Sequence, residues 1–161
     1  MKKLIITFIA VLSFTLTNAQ SKIIKTAPIA NAIGIYNAGF ETKFKEKTSF
    51  ELKAYYFNIF DIKAYKIDVM HNWYTKESLK DFHFGAGAGV FGGDFTTIGY
   101  DSSSNKESLT IPLLKINAGY QWILGEHFAI DPTLAYTYLM TNNDISEGGG
   151  FTIGFAVGYA W

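Results

Sequence analysis

The sequence predicts an all-β fold: an eight-stranded antiparallel up-and-down transmembrane β-barrel that follows a cleaved signal peptide. Three observations carry this. Large apolar residues alternate with small or charged ones in segment after segment, the period of a strand and not of a helix. The segments are joined by links of unequal length, short near 45–48, 76–80 and 123–126 and longer near 94–108 and 140–149. The composition, with 15 glycines, 3 prolines and 17% aromatics, suits strands and turns better than helices.

The elements follow in order. Residues 1–19 have the layout of an export signal: a positive "MKK", an apolar stretch of 13 residues at 4–16, then Thr17 and Ala19 as the small residues a signal peptidase reads. Thirteen apolar residues are short for a helical span of about 20. The expected domain is therefore 20–161. Loss of Lys2 and Lys3 leaves 12 basic against 14 acidic residues, a net charge of −2. The first strand is expected within 22–32, interrupted by Pro28, with a tight reversal at 33–36. Next come 40–44, with Phe40 and Phe44 opposing Glu41 and Lys43, and 50–56, with Phe50, Leu52 and Tyr56 opposing Glu51 and Lys53. In 65–74, Tyr65, Ile67, Val69, His71 and Trp73 oppose Lys66, Asp68, Met70, Asn72 and Tyr74. In 82–91, Phe82, Phe84 and Val90 oppose His83 and three glycines. In 114–122, Leu114, Ile116, Tyr120 and Trp122 oppose Lys115, Asn117 and Gln121. In 127–138, Phe128, Ile130, Leu134, Tyr136 and Tyr138 oppose Asp131, Thr133, Ala135 and Thr137. The last segment alternates up to its final aromatic: Phe151, Ile153, Phe155, Val157, Tyr159 and Trp161 against small residues. Pro112 and Pro132 are expected near strand starts, where a missing ladder donor is tolerated.

Which set faces inward follows from size and charge. Eight strands enclose a space just wide enough for side chains. The small and ionic set fits it: Glu41, Lys43, Glu51, Lys53, Lys66, Asp68, Lys115 and Asp131, four positive and four negative. Buried charges are tolerable when paired and hydrogen-bonded. The apolar set then faces outward. In water such a belt would be an aggregation hazard; in a bilayer it matches the solvent. Trp73, Tyr74, Trp122, Phe128, Tyr159 and Trp161 are expected at the inner interface and Tyr138 near the outer one. The inverse arrangement, a soluble lipocalin-like barrel around a small apolar ligand, would put the eight charges outside and crowd the aromatics into the lumen.

Several segments resemble a family of small outer-membrane barrel proteins of unknown function. They are Asn37, Gly39, Phe40 and Glu41 followed by "KEKTSFEL", then "NWY" at 72–74 and "FHFGAGAG" at 82–89. The chain departs from the family at Ala27, where asparagine is usual, and lacks an arginine common near the tyrosine pair. The resemblance implies an eight-stranded OmpA/OmpX-like barrel and no reaction.

Little chemistry is legible beyond this. There is no cysteine, hence no disulfide, thiolate metal site or thiol nucleophile. All 14 basic residues are lysine and the formal charge is zero, which argues against a nucleic-acid partner. "GAGVFG" at 87–92 fits a nucleotide-binding glycine pattern, but no helical segment follows, and glycines facing a tight lumen explain it. "DSSSN" at 101–105 begins like a calcium loop but lacks its glycine and its twelfth-position glutamate. His71, His83 and His127 fall on separate segments with no metal-ligand spacing. A lipid-modifying barrel enzyme would need serine and histidine on neighbouring outward positions, and Ser49, Ser78 and Ser108 are expected in turns. No cofactor is expected. The expected protein is non-enzymatic and lies in a Gram-negative outer membrane after export through the periplasm. Its expected partners are outer-membrane lipid and the barrel-insertion machinery, which reads the terminal strand 151–161. Loops 94–108 and 140–149 would meet any extracellular ligand.

Overall fold

The structure is a computed structural model describing residues 20–59, 62–98, 104–140 and 148–161, with residues 62, 94–98 and 104–108 by backbone alone. The strands are β1 (Lys22–Thr26), β2 (Ile35–Lys45), β3 (Thr48–Ile59), β4 (Ile62–Tyr74), β5 (Asp81–Ile98), β6 (Ser104–Leu124), β7 (Phe128–Leu139) and β8 (Gly148–Ala160), and a short helix α1 (Pro28–Ala32) follows β1. Every strand pairs antiparallel with its sequence neighbour, and β1 with β8 closes the barrel. The links at 46–47, 75–80 and 125–127 lie at the rim that also carries residues 20 and 161, here the lower rim. At the opposite, upper rim the ends of β1 and β2, β3 and β4, β5 and β6, and β7 and β8 stand side by side.

Period two settles which way each side chain points. In β4, Asp68, Met70, Asn72 and Tyr74 are buried while Tyr65, Ile67, Val69 and Trp73 are exposed. In β6, Leu113, Lys115, Asn117 and Gln121 are buried while Leu114, Ile116 and Trp122 are exposed. Ionic and amide side chains fill the lumen and an apolar belt covers the wall. The glycines of β5 complete the packing. A Cβ on Gly85 would overlap Asn72 and Asn117, one on Gly87 would overlap Met70, and one on Gly89 would meet Asp68. The glycine pattern at 87–92 thus makes room for side chains from β4 and β6.

Aromatics gather at the lower rim. Trp73 stacks on Phe84 with centroids 5.5 Å apart, Tyr120 meets Trp122 at 4.5 Å, and Tyr159 lies 6.2 Å from Trp161. The lower end of the lumen is closed. Leu79, on the 75–80 turn, packs with Ile23, Ala129 and Ala160 in a small apolar floor. Leu79 adopts φ 69°, unusual for a branched side chain, to enter it. Ser78 Oγ fixes the turn by donating to Thr48 O at 3.0 Å, and Gln121 Nε2 donates to Leu79 O.

Several expectations are corrected. β1 stops at Thr26; Pro28 starts α1, where a missing N–H and a fixed φ suit the first helical turn. Gly34, at φ 88°, turns the chain into β2 beneath Asn58, whose N–H donates to its carbonyl at 2.8 Å. The loop expected at 94–108 is largely ladder, with pairs continuing to Ile98↔Ser104; only 99–103 connects the strands, and it lies outside the described residues. The same holds for 141–147 within the expected 140–149 loop, and for the leader 1–19. Both prolines sit within strands. Pro112 accepts from Met140 N at 2.9 Å just beyond the last β6–β7 pair, so its missing donor points past the end of that ladder. Pro132 falls where β6–β7 pairing is interrupted between Gly119↔Thr133 and Trp122↔Ile130.

Candidate functional site

The candidate site is the ionic lumen, in two tiers. The lower tier centres on Lys25 of β1, which is 3% exposed. Its ammonium lies 2.8 Å from Glu41 of β2, 2.7 Å from Glu51 of β3 and 2.9 Å from Asp131 of β7, and donates to Gln121 Oε1 at 3.1 Å. Neutral donors gather on the second oxygen of Glu41. Tyr74 Oη donates to Glu41 at 2.7 Å, Asn72 Nδ2 at 3.1 Å, and Ser49 Oγ donates to the same oxygen. His83 Nε2 sits 3.0 Å from Asp131, and Lys53 lies 3.0 Å from Glu51. In the upper tier Asp68 is shared by Lys115 at 3.0 Å and Lys66 at 3.4 Å. The ring of Tyr55 lies 4.3 Å from the Lys66 ammonium, a cation–π contact. Four ammoniums thus meet four carboxylates, the condition under which buried charge is tolerated.

Of the eight lumen residues expected from sequence, Glu41, Glu51, Lys53, Lys66, Asp68, Lys115 and Asp131 lie in these tiers. Lys43 does not join them: it shares their parity but lies half-buried at the lower rim, beside the irregularity at Lys43/Lys45. Lys25 takes its place. Sequence reading missed it because β1 is only five residues long and runs straight into Pro28, so no alternation marks its inward face. Tyr74 is also displaced, being a lumen donor and not an interface anchor. Ser49 lies in β3 facing inward and Ser108 within β6; Ser78 is in a turn, as expected. His71 packs on the wall against Phe50 at 4.6 Å and Trp73 at 4.4 Å, and His127 Nδ1 lies 2.8 Å from Ala160 O. Among the described residues no group of three or more His, Cys, Asp or Glu is arranged to hold a metal. On β8, Phe151, Ile153, Phe155 and Tyr159 are exposed on the outer wall, with Val157 and Trp161 half-buried on the same face.

Above the upper tier lies a cavity of about 470 Å³. Lys53, Lys66 and Lys115 form its floor, and apolar residues of α1, including Ile29 and Ile33, form part of its wall. The lumen thus has an apolar floor at its lower end and a cavity at its upper end.

Three solved structures share this architecture. The N-terminal β-barrel domain of Pseudomonas aeruginosa OprF matches with a TM-score of 0.62 at 15% identity, over 90% of this chain and 100% of that one. Neisserial surface protein A (NspA) gives 0.57 at 12% identity, over 88% and 95%. The Yersinia pestis outer membrane protein Ail, in a phospholipid bilayer nanodisc, gives 0.50 at 16% identity, over 89% and 100%. At these identities the likeness shows the fold, that of eight-stranded outer-membrane barrels. No curated protein matches the sequence. A family model matches residues 4–145, and the chain belongs to that family, described as "Protein of unknown function (DUF3575)".

Proposed function

We propose that the mature chain, 20–161, is a non-enzymatic integral protein of a Gram-negative outer membrane, with a structural or surface-interaction role. The leader 1–19 directs export through the periplasm, and the terminal strand ending in Phe151, Ile153, Phe155, Val157, Tyr159 and Trp161 is what the insertion machinery reads. The supporting observation is the polarity of the wall. Glu41, Glu51, Asp68 and Asp131 are each no more than 1% exposed inside the cylinder, while Leu52, Ile67, Ile116 and Leu134 stand outside it. That distribution favours hydrocarbon as the outer solvent and disfavours a soluble barrel with a greasy lumen. The closed floor and the balanced ion pairs favour a rigid plug over an ion path. The upper rim is the surface open to an extracellular ligand or neighbour.

Fractionation tests the reading. The protein should resist alkaline carbonate extraction, and after detergent solubilisation the unboiled form should migrate differently from the boiled form. Release by carbonate, with no heat-modifiable species, would sink it.

A further inference from the structure

The barrel wall is incomplete in its upper half. β8 pairs with β7 along its whole length, from Leu139↔Gly148 to Phe128↔Tyr159. On its other side it pairs with β1 only from Val157 to Ala160. Among the described residues, the nine at 148–156 have no strand beside them, a free edge about 30 Å long at the usual strand rise. Only α1 stands there, five residues and about 8 Å long. It has no buried residue, and hydrogen bonds from Asn31 to Thr26 and from Asn37 to Asn31 hold it on the β2 side.

Part of this edge lies at hydrocarbon depth. A strand of about ten residues crosses the bilayer core, so counting up from Trp161 places 152–156 within it. Trp161 N–H donates to Lys22 O, so by alternation the N–H and C=O of Ile153 and Phe155 also point toward the β1 side. Among the described residues no backbone hydrogen bond joins them to α1. Their side chains lack the cover a neighbouring strand gives: Ile153 is 86% exposed, against 51% for Leu134 on the intact wall.

The cavity runs through this opening. It is lined by the inward residues Thr152 and Gly154 and also by the outward residues Ile153 and Phe155. A single cavity touches both faces of β8 only by passing around its free edge. Its floor is electropositive: the lysines line it, while Glu51 and Asp68, at 0% side-chain exposure, lie beneath them.

We infer that the cavity is a lateral binding site for a long-chain anionic amphiphile, its head on Lys53, Lys66 and Lys115 and its chain leaving between α1 and β8 into the bilayer. The volume lies within the range of small-ligand sites. Each of these lysines is paired with one carboxylate, and an ammonium has three donors. A purely hydrocarbon occupant would leave the remaining donors and the edge donors of Ile153 and Phe155 unsatisfied, whereas an anionic head with a polar linkage satisfies both. This rests on the barrel lying in a bilayer, so every protein tested is also read by heat-modifiable migration.

The probe is palmitate, added to the protein in phosphatidylcholine nanodiscs and followed by native mass spectrometry, with hexadecanol and acetate as chain-only and head-only controls. The folded wild type should retain one palmitate and neither control. Retention should fall about tenfold or more in K66Q/K115Q, which removes two charged donors, and in A135W, which fills the cavity and leaves the charges in place. Equal retention of palmitate and hexadecanol, no palmitate on the folded wild type, or undiminished binding by either folded variant would overturn the inference. Should a variant not fold, the comparison of palmitate with hexadecanol on the wild type decides alone. A protein with no heat-modifiable form would instead count against the membrane reading.

Discussion

Lys25 offers the sharpest test of the ionic lumen. Lys25→Met keeps most of the side-chain volume and removes one charge that lies within 2.9 Å of three carboxylates. Among the described residues, Glu51 keeps Lys53 and Asn72, and Asp131 keeps His83. Glu41 keeps only the neutral donors Tyr74, Asn72 and Ser49. Breaking a buried ion pair by deleting one partner costs about 3–5 kcal/mol, because the orphaned charge stays buried. With a urea slope of about 2 kcal/mol per molar, the unfolding midpoint in lipid vesicles should fall by about 2 M. Adding Glu41→Gln restores charge balance, so the double variant should regain at least half of that loss. Lys76→Ala is the control: it breaks the 3.1 Å pair with Asp81, but the lysine side chain is 81% exposed, and the midpoint should not move. A Lys25→Met midpoint within about 0.3 M of the wild type would show that the lower tier does not depend on its central cation.

Three further predictions probe wall, packing and hydrogen bonding by the same unfolding assay. Leu134→Lys puts a charge on the outer wall near mid-depth and should cost about 2–4 kcal/mol, while Leu124→Lys at the lower rim should cost at most about 1; equal effects would contradict the membrane depth assigned to these strands. Gly87→Ala forces a Cβ into Met70 and the carbonyl of Val69, and should lower stability by about 1–3 kcal/mol and reduce the yield of the heat-modifiable form; a neutral result would mean that β5 is not packed against β4 as described. Tyr74→Phe removes the 2.7 Å donor to Glu41 and the acceptor used by Gln121, at about 1.5–3 kcal/mol; full stability would remove Tyr74 from the lower tier.

What was legible in the sequence was whatever period two writes directly. The inward and outward sets of β4, β5 and β6 are those read from alternation, because long strands over a small lumen permit no other assignment of Asp68, His83 or Lys115. What was illegible depended on partners distant in the chain. Lys25 and Asp131 are 106 residues apart and meet only after closure. Lys43 has the right parity and the wrong height, and alternation carries no information about height. Tyr74 looks like an interfacial aromatic until the rim turn folds beneath it. The 94–108 segment reads as a loop because serine, asparagine and glycine are poor strand formers, yet its backbone continues the β5–β6 ladder, where pairing with a neighbour overrides propensity. The lateral opening is invisible in any single segment: it is the difference between the lengths of β1 and β8.

The shortness of β1 and the position of Lys25 belong together. A barrel has no edge only if its first and last strands pair, and here that seam rests on four residue pairs, Ile23↔Ala160 to Thr26↔Val157, extended below by the two hydrogen bonds between Lys22 and Trp161, while β7–β8 has twelve pairs. A seam with so few ladder bonds is the weakest line in the cylinder. Lys25 stands on it, and its ammonium reaches to β2, β3 and β7. Ile23, two residues earlier on the same face, joins the floor formed with Leu79, Ala129 and Ala160. The two inward side chains of β1 therefore tie the closing strand to the rest of the barrel, one by charge and one by burial. Above Thr26 neither tie operates, no strand continues, and there the wall opens. Ionic core and lateral opening are thus two consequences of one short strand: closure held from within below, and a gap left free above.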